Sequence, residues 1–224
     1  MSSQTETLVK VEPSEPLFSK KNRKLLVDPL DGNNPVTVQV LGICSALAVT
    51  VQLVPALYMA AGLIFVSTFS NLFISLIRNS IPSRIRIIVQ LAIVSLWVIV
   101  VDQVMKAYAF EASQKLSVFV GLIITNCIVM GRLEAFAMAN KPWPAILDGI
   151  GNGLGYGVIL ISVAFFRELL GSGSLFGIKI LGSDSLTGLA YQGNGLMMLP
   201  AGACIIVGLL IWAQRARNGY AEDH

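Results

Sequence analysis

Long runs of apolar residues alternate with short polar connections along most of the chain. A helix that crosses the hydrocarbon core of a bilayer needs about 20 such residues, because each residue advances it by about 1.5 Å. The pattern therefore predicts six membrane-spanning segments: Val36–Val54, Ala56–Ile77, Ile87–Met105, Val118–Met138, Leu154–Leu170 and Leu196–Ala213. We expect an all-α, polytopic membrane protein with a polar tail over residues 1–35, a six-helix transmembrane domain over residues 36–213 and a short tail over residues 214–224.

The composition agrees with this prediction and excludes other classes of protein. Apolar residues make up 54% of the 224 residues, whereas charged residues make up only 13%, about half of their share in an ordinary soluble domain. A soluble enzyme or a nucleic-acid-binding module is excluded on this ground. With three cysteines and one histidine in the whole chain, a zinc site built from cysteine and histidine is not expected either.

The positively charged residues indicate how the chain is oriented in the membrane. If the amino terminus is cytoplasmic, the predicted inner segments hold 12 of the 16 lysines and arginines, and the outer segments hold 4. Lysine and arginine accumulate on the cytoplasmic side of membrane proteins. We therefore expect both termini to face the cytoplasm. The first 35 residues have no apolar core of the kind that a cleavable signal peptide needs, so they are interpreted as a cytoplasmic tail.

Six spans divide into two halves of three spans each. Because each half has an odd number of spans, the second half enters the membrane from the opposite face, so an internal repeat would be inverted. Proteins with such an inverted repeat place their functional site near the bilayer midplane, on interrupted helices at equivalent positions of the two halves. Helices one and four are equivalent here, and each carries one cysteine, Cys44 and Cys127. Their depths predict that the two thiols meet near the bilayer centre. Cys204 has no counterpart and is interpreted as a small buried apolar residue.

Two thiols at equivalent positions leave several kinds of site open. Thiolates are soft ligands that suit iron–sulfur clusters, zinc or Cu(I). An iron–sulfur cluster usually takes four cysteines, so a partner chain would have to supply two more. A disulfide is disfavoured by the reducing cytoplasm and by the depth in the membrane, and a purely structural pair is the remaining alternative. The spacing of the residues does not choose among them.

Two further groups of residues carry weaker signals. Gly149, Gly153 and Gly157 are spaced by four, so they line one face of a helix and predict close packing against another helix. A helix of a partner subunit is one candidate for that contact. A phosphate-binding loop is rejected there because no strand precedes the glycines. Five ionisable residues near predicted helix ends are interpreted as interfacial anchors or ion pairs. They are Asp102, Arg132, Glu134, Arg167 and Glu168.

Five segments of the chain resemble one known family. They read LGICSALAVT from residue 41, SLIRNSIP from residue 75, SVFVGLIITNCIVMGR from residue 117, DGIGNGLGYG from residue 148 and FRELLGSG from residue 166. Together they are similar to the D subunit of the Na+-translocating NADH:quinone oxidoreductase, over about residues 33–212. The related E subunit of the Rnf complex usually has a proline after the first cysteine, where this chain has Ser45.

The resemblance implies a function for the two cysteines. In that family the D subunit pairs in an antiparallel arrangement with the homologous E subunit, and each contributes two cysteines to an intramembrane [2Fe–2S] centre. Cys44 and Cys127 match those ligand positions. Asn126 and Thr125 are predicted to hydrogen-bond the cluster sulfurs.

The resemblance also implies the setting in which the cluster works. The centre passes electrons from the NADH-oxidising subunit towards the covalent flavin of the C subunit, in a bacterial inner-membrane complex that also contains the A, B and F subunits. That complex reduces quinone and exports Na+. A subunit of an Rnf-type ferredoxin:NAD+ reductase and a cofactor-free transporter or channel half remain alternatives.

Overall fold

The computed structural model describes residues 25–30, 32, 34–82, 84–108, 121–175, 178–179 and 195–218. Its helices are α1 Ile43–Val49, α2 Leu53–Ile77, α3 Arg86–Tyr108, α4 Cys127–Arg132, α5 Pro142–Gly171, α6 Gly195–Met198 and α7 Pro200–Asn218. The shorter elements are the 3-10 turns Asp28–Leu30 and Arg78–Ser80, the π-helical turn Leu133–Ala137 that extends α4, and the two antiparallel strands β1 Ser174–Leu175 and β2 Ile178–Lys179. Residues 1–24 and 219–224, which hold most of the two predicted tails, lie outside the described residues.

Three of the described helical segments are long and apolar enough to cross a bilayer: Leu53–Ser80, Arg86–Tyr108 and Pro142–Gly171. α7 provides a shorter apolar helix. These helices correspond to the second, third, fifth and sixth predicted spans, which agrees with a membrane protein. In their described residues, the first and fourth predicted spans contain short helices, so six complete spans and the 3+3 repeat stay predictions.

α5 starts much earlier than the predicted fifth span. The sequence pattern placed the start at Leu154, but the helix begins at Pro142 and runs for 30 residues without a break. Proline fits the first turn of a helix because it lacks only an N–H that has no partner there. The glycines of this segment therefore lie inside one continuous helix, where packing compensates for their low helix propensity.

One face of this glycine segment packs directly against α2. The contacts pair Gly149 with Thr68, Gly153 with Ile64 and Gly157 with Ala60. A Cβ atom built on Gly149 would lie 2.9 Å from the Cα of Thr68, and one on Gly153 would lie 3.0 Å from the Cα of Ile64. The two backbones approach too closely for larger residues, and α2 and α5 form the central helix pair of the molecule.

The opposite face of α5 packs against the chain that precedes α1. The Asn34 side chain donates to the Gly155 carbonyl at 3.2 Å, and its Oδ1 accepts from the backbone N–H of Val36 at 3.0 Å. A Cβ atom on Gly151 would lie 2.6 Å from the Leu25 carbonyl oxygen. The described residues at the end of the predicted tail are thus packed on the helix pair.

α3 lies on the outside of the helix pair. Its Trp97 ring packs on Phe69 and Phe73 of α2, with ring centroids 4.7 and 5.4 Å apart. Asp102 forms an ion pair with Lys106 at 2.6 Å near the end of α3, which is one of the two interpretations given to it.

Glu134, in the π-helical turn, connects that turn to α3. It accepts from Arg86 at 2.6 Å and from Gln90 at 2.9 Å. This contact is also ion pairing rather than membrane anchoring.

Candidate functional site

The first predicted span is broken beside its cysteine. α1 has only seven residues, and it follows Gly42, whose φ of +75° is in the left-handed region that favours glycine. A Cβ atom on Gly42 would also lie 3.2 Å from the Tyr156 ring, so glycine is required there for space as well. The helix ends before Thr50, and α2 begins at Leu53. Cys44 is the second residue of this short helix.

The fourth predicted span is broken in the same manner. Residues 121–124 are helical, the backbone turns at residues 125–126, and α4 begins with Cys127 itself. Asn126 is the N-cap residue, because its side-chain oxygen accepts from the backbone N–H of Ile128 at 3.1 Å. Each cysteine therefore stands in the first turn of a short helix, directly after an interruption.

The two interruptions lie side by side and are joined by three buried side chains. Asn126 Nδ2 donates to Ser45 Oγ at 3.1 Å, and Tyr156 Oη lies 2.8 Å from the same oxygen. Ser45 Oγ in turn donates to the Gly42 carbonyl at 2.9 Å. Because Ser45 follows Cys44 and Asn126 precedes Cys127, the two cysteines flank residues that are in direct contact.

The cysteine side chains themselves point away from this buried contact. Cys44 and Cys127 are free thiols, and both are exposed on the surface of the single chain. Thr125 is also exposed, whereas Asn126 is buried and already engaged with Ser45 and Ile128. In the described part of the chain, no three Cys, His, Asp or Glu residues group to hold a metal ion. The arrangement therefore offers two exposed thiols, each next in the chain to a residue of the Ser45–Asn126 contact.

Cys204 was interpreted as a buried residue, but its side chain is exposed on α7. The apolar run in which it lies has an outward face as well as an inward one, and hydrophobicity alone does not separate them.

Two neighbouring charged residues of α5 hold the other end of α1. Arg167 is only 2% exposed, and its Nη1 donates to the Leu47 carbonyl at 3.1 Å and to Thr50 Oγ1 at 2.8 Å. Glu168 Oε2 accepts from the backbone N–H of Leu53 at 2.7 Å. A cation thus meets the last carbonyls of α1 and an anion meets the first N–H of α2, as the helix dipoles favour. The break between α1 and α2 is fixed from α5.

Arg167 also binds the end of α6. Its guanidinium donates to the carbonyls of Met197 at 3.2 Å, Met198 at 2.9 Å and Leu199 at 3.4 Å. Arg167 was interpreted as an interfacial anchor or an ion-pair residue, but the structure shows a buried donor to backbone carbonyls. Its acceptors lie 30 or more residues away in the chain, so no local pattern pointed to them.

The end of α4 is joined to α5 by an ion pair. Arg132 Nε donates to Asp148 Oδ2 at 2.9 Å, and its Nη2 donates to the other carboxylate oxygen. Asn152 adds a donor to the same carboxylate at 3.0 Å, and Asp148 is 1% exposed. Sequence reasoning did not single out Asp148 or Tyr156, although both lie in the glycine-rich segment. α5 therefore holds both cysteine-bearing helices, through Tyr156 at their starts and through charged residues at their ends.

Comparison with known proteins shows the same segments in a family. A family model described as "Rnf-Nqr subunit, membrane protein" matches residues 22–211. The D subunit of the Na(+)-translocating NADH-quinone reductase of Photobacterium profundum is 59% identical over 197 residues, which are 88% of this chain and 93% of that protein. The D subunits of the same reductase from Aeromonas salmonicida and Shewanella putrefaciens are 59% and 58% identical, with the same coverage. The family match includes both cysteine-bearing turns and the whole of α5.

Proposed function

Since this chain belongs to the Rnf-Nqr family, as a D subunit of a Na+-translocating NADH-quinone reductase, we propose that its two cysteines relay electrons within that membrane complex. Cys44 and Cys127 supply half of the ligands of a [2Fe–2S] centre. Two cysteines of the homologous E subunit supply the other half. The chain carries no complete active site, and its contribution to the reductase is this shared centre.

The proposal is supported by the exposure of the two thiols and by the contact that joins their two turns. Both are exposed, and each is one residue away from the Ser45–Asn126 hydrogen bond, which is 3.1 Å long. A [2Fe–2S] centre takes four thiolates. Two exposed thiols, each beside the contact that joins the two turns, fit one half of such a centre, and two thiolates of a second chain would complete it.

The chemistry of this centre is the transfer of single electrons. When bound, the group would supply one-electron transfer between the NADH-oxidising side and the flavin side of the complex, with Cys44 and Cys127 as its ligands from this chain. Two such transfers would account for the two electrons that NADH loses on becoming NAD+ and a proton, and that quinone gains, with two protons, on becoming quinol. The residues of this chain hold the thiolates on two fixed turns.

The same proposal extends to the membrane arrangement. We place α1 and α4 in two interrupted spans at equivalent positions of a six-span, 3+3 inverted repeat in the bacterial inner membrane, with both termini in the cytoplasm. The breaks beside Cys44 and Cys127 support this arrangement, because interrupted helices at equivalent positions are typical of such repeats. Na+ export is assigned to the complex as a whole.

The test is the iron content of the purified complex. Cys44→Ala and Cys127→Ala are each expected to remove the [2Fe–2S] iron and its electron paramagnetic resonance (EPR) signal, and to stop the passage of electrons from NADH to quinone. Cys204→Ala is the matched control, since this exposed thiol lies on α7 and is expected to leave iron and signal unchanged. An assembled complex that keeps its full iron content without either thiol would refute the ligand assignment and favour the cofactor-free transporter.

A further inference from the structure

We propose that Ser45, Asn126 and Tyr156, here called the thiol junction, are positioning residues that fix the distance and orientation of Cys44 relative to Cys127. The redox consequence of this proposal rests on the proposed function, whereas its geometry stands on the contacts within this chain. The junction is a direct polar link between the two interruptions, and its members Ser45 and Asn126 are the chain neighbours of the two cysteines.

The hydrogen bonds of the junction leave Ser45 no freedom to rotate. A serine hydroxyl has one hydrogen to donate and two lone pairs to accept with. Ser45 Oγ donates to the Gly42 carbonyl at 2.9 Å, which makes Tyr156 the donor across their 2.8 Å contact. The amide of Asn126 fills the last position at 3.1 Å. All three positions of the hydroxyl are used, and the three side chains are buried, so the loss of one partner would leave a buried polar group unpaired.

Each side of the junction also sets the start of one cysteine-bearing helix. Asn126 uses its oxygen to cap α4 and its nitrogen to bind Ser45, so one side chain fixes both the start of α4 and its contact with α1. Ser45 binds the carbonyl of Gly42 and so closes the left-handed turn from which α1 begins. Consecutive Cα atoms are about 3.8 Å apart, so a displacement of Ser45 or Asn126 moves the adjacent cysteine almost equally.

Tyr156 ties the junction to the central helix pair. Its side chain is fully buried, and it lies on α5 next to Gly157, where α5 contacts Ala60 of α2. The junction therefore links the two cysteine-bearing turns to the closely packed α2–α5 pair. Outer partners that hold metal ligands in place influence metal affinity and potential even without touching the metal.

The test uses Tyr156→Phe and Ser45→Ala in the intact complex. Tyr156→Phe is expected to keep the iron but to broaden the EPR signal of the [2Fe–2S] centre, shift its midpoint potential and speed the loss of iron to a chelator about ten-fold. Ser45→Ala is expected to act in the same direction. The double variant is expected to add little, because the two hydroxyls serve one contact.

Two matched controls separate positioning from general stability. Tyr58→Phe removes the hydroxyl of a more exposed tyrosine on α2, and Ser162→Ala removes an exposed hydroxyl that bonds to the carbonyl of Val158 in its own helix. Neither is expected to change the potential, the spectrum or the iron loss. A fold defect would lower the amount of assembled complex without shifting the potential of the complex that remains.

A second measurement does not depend on the cluster. On a Cys204→Ala background, the iron-depleted complex is treated with a short bifunctional thiol reagent, and the Cys44–Cys127 link within one chain is measured by mass spectrometry. Tyr156→Phe is expected to lower the yield of this link. Junction variants that match the controls in potential, spectrum and cross-linking would overturn the positioning role. If the Cys44→Ala and Cys127→Ala complexes keep their full iron content, only the proposed function is overturned. The cross-linking yield would still test whether the thiol junction positions Cys44 relative to Cys127.

Discussion

α3 and α5 are both long apolar helices, but they use their surfaces in opposite ways. In the apolar 18-residue stretch of α3, only 17% of the residues are buried within the molecule, whereas 56% are buried in the corresponding stretch of α5. Isoleucines such as Ile87, Ile88 and Ile99 of α3 are 58–67% exposed. α5 instead buries Asp148, Tyr156 and other polar residues that hold neighbouring helices.

The difference shows where the fold and the site are specified. On an outward face in the membrane, one large apolar side chain replaces another with little effect, because lipid tails are as apolar as leucine. On α5, each polar residue meets particular atoms of another helix. Substitutions of the buried polar residues of α5 are therefore expected to disturb both stability and the cysteine geometry, and substitutions on the outward face of α3 are expected to disturb neither.

The largest effect is expected at Arg167. Arg167→Leu leaves carbonyls at the ends of α1 and α6 without their buried donor, and we expect a loss of about 3 kcal/mol or more of stability, since a buried hydrogen-bonded group loses its partner. The measurements are the amount of assembled complex in the membrane and its unfolding temperature in detergent. Arg167→Lys is the matched control, and we expect partial recovery because lysine keeps the charge but not the planar set of donors. Wild-type stability for Arg167→Leu would show that α5 does not hold α1 in this way.

The apolar pattern of the sequence predicted the extent of α3 closely but predicted only part of α5. The predicted span Ile87–Met105 differs from α3, Arg86–Tyr108, by a few residues, since bilayer thickness and uniform hydrophobicity determine both. The predicted span that begins at Leu154 covers only the later part of α5, because glycines lower the local hydrophobicity while tertiary packing supports the helix from Pro142 onwards.

The candidate site divides in the same way. Cys44 and Cys127 were predicted as ligands from their places in the expected repeat and from the family resemblance. Asn126 was predicted to hydrogen-bond the cluster, but the contact that joins Asn126 and Tyr156 to Ser45 was not predicted, because Ser45 and Tyr156 are 111 residues apart in the chain. A hydrogen bond over such a distance is determined by the packing of α1, α4 and α5, which the sequence does not display.

An intermediate effect is expected where α5 meets α2. Gly149→Ala places a Cβ atom 2.9 Å from the Cα of Thr68 and 3.1 Å from the Ser67 carbonyl oxygen, both of which are backbone atoms. The helices must separate, and overpacking of this kind costs about 1–3 kcal/mol. The control is Gly208→Ala on α7, where a Cβ atom meets nothing within 4 Å. Thermal unfolding of the two complexes side by side measures the difference. Equal unfolding temperatures would mean that the α2–α5 contact tolerates an added methyl group.

The smallest effect is expected on the outward face of α3. Ile99 is 58% exposed, so Ile99→Leu keeps an apolar side chain of the same size on an outward face of the described chain. We expect the unfolding free energy to change by no more than about 0.5 kcal/mol and the EPR signal to stay unchanged. Val98→Leu, one residue earlier, is the control, because Val98 is 2% exposed and its larger replacement must overpack the core. If Ile99→Leu lowers the unfolding temperature as much as Val98→Leu, the outward face of α3 contacts another protein chain instead of lipid, and α3 would join α5 as a helix with specific contacts.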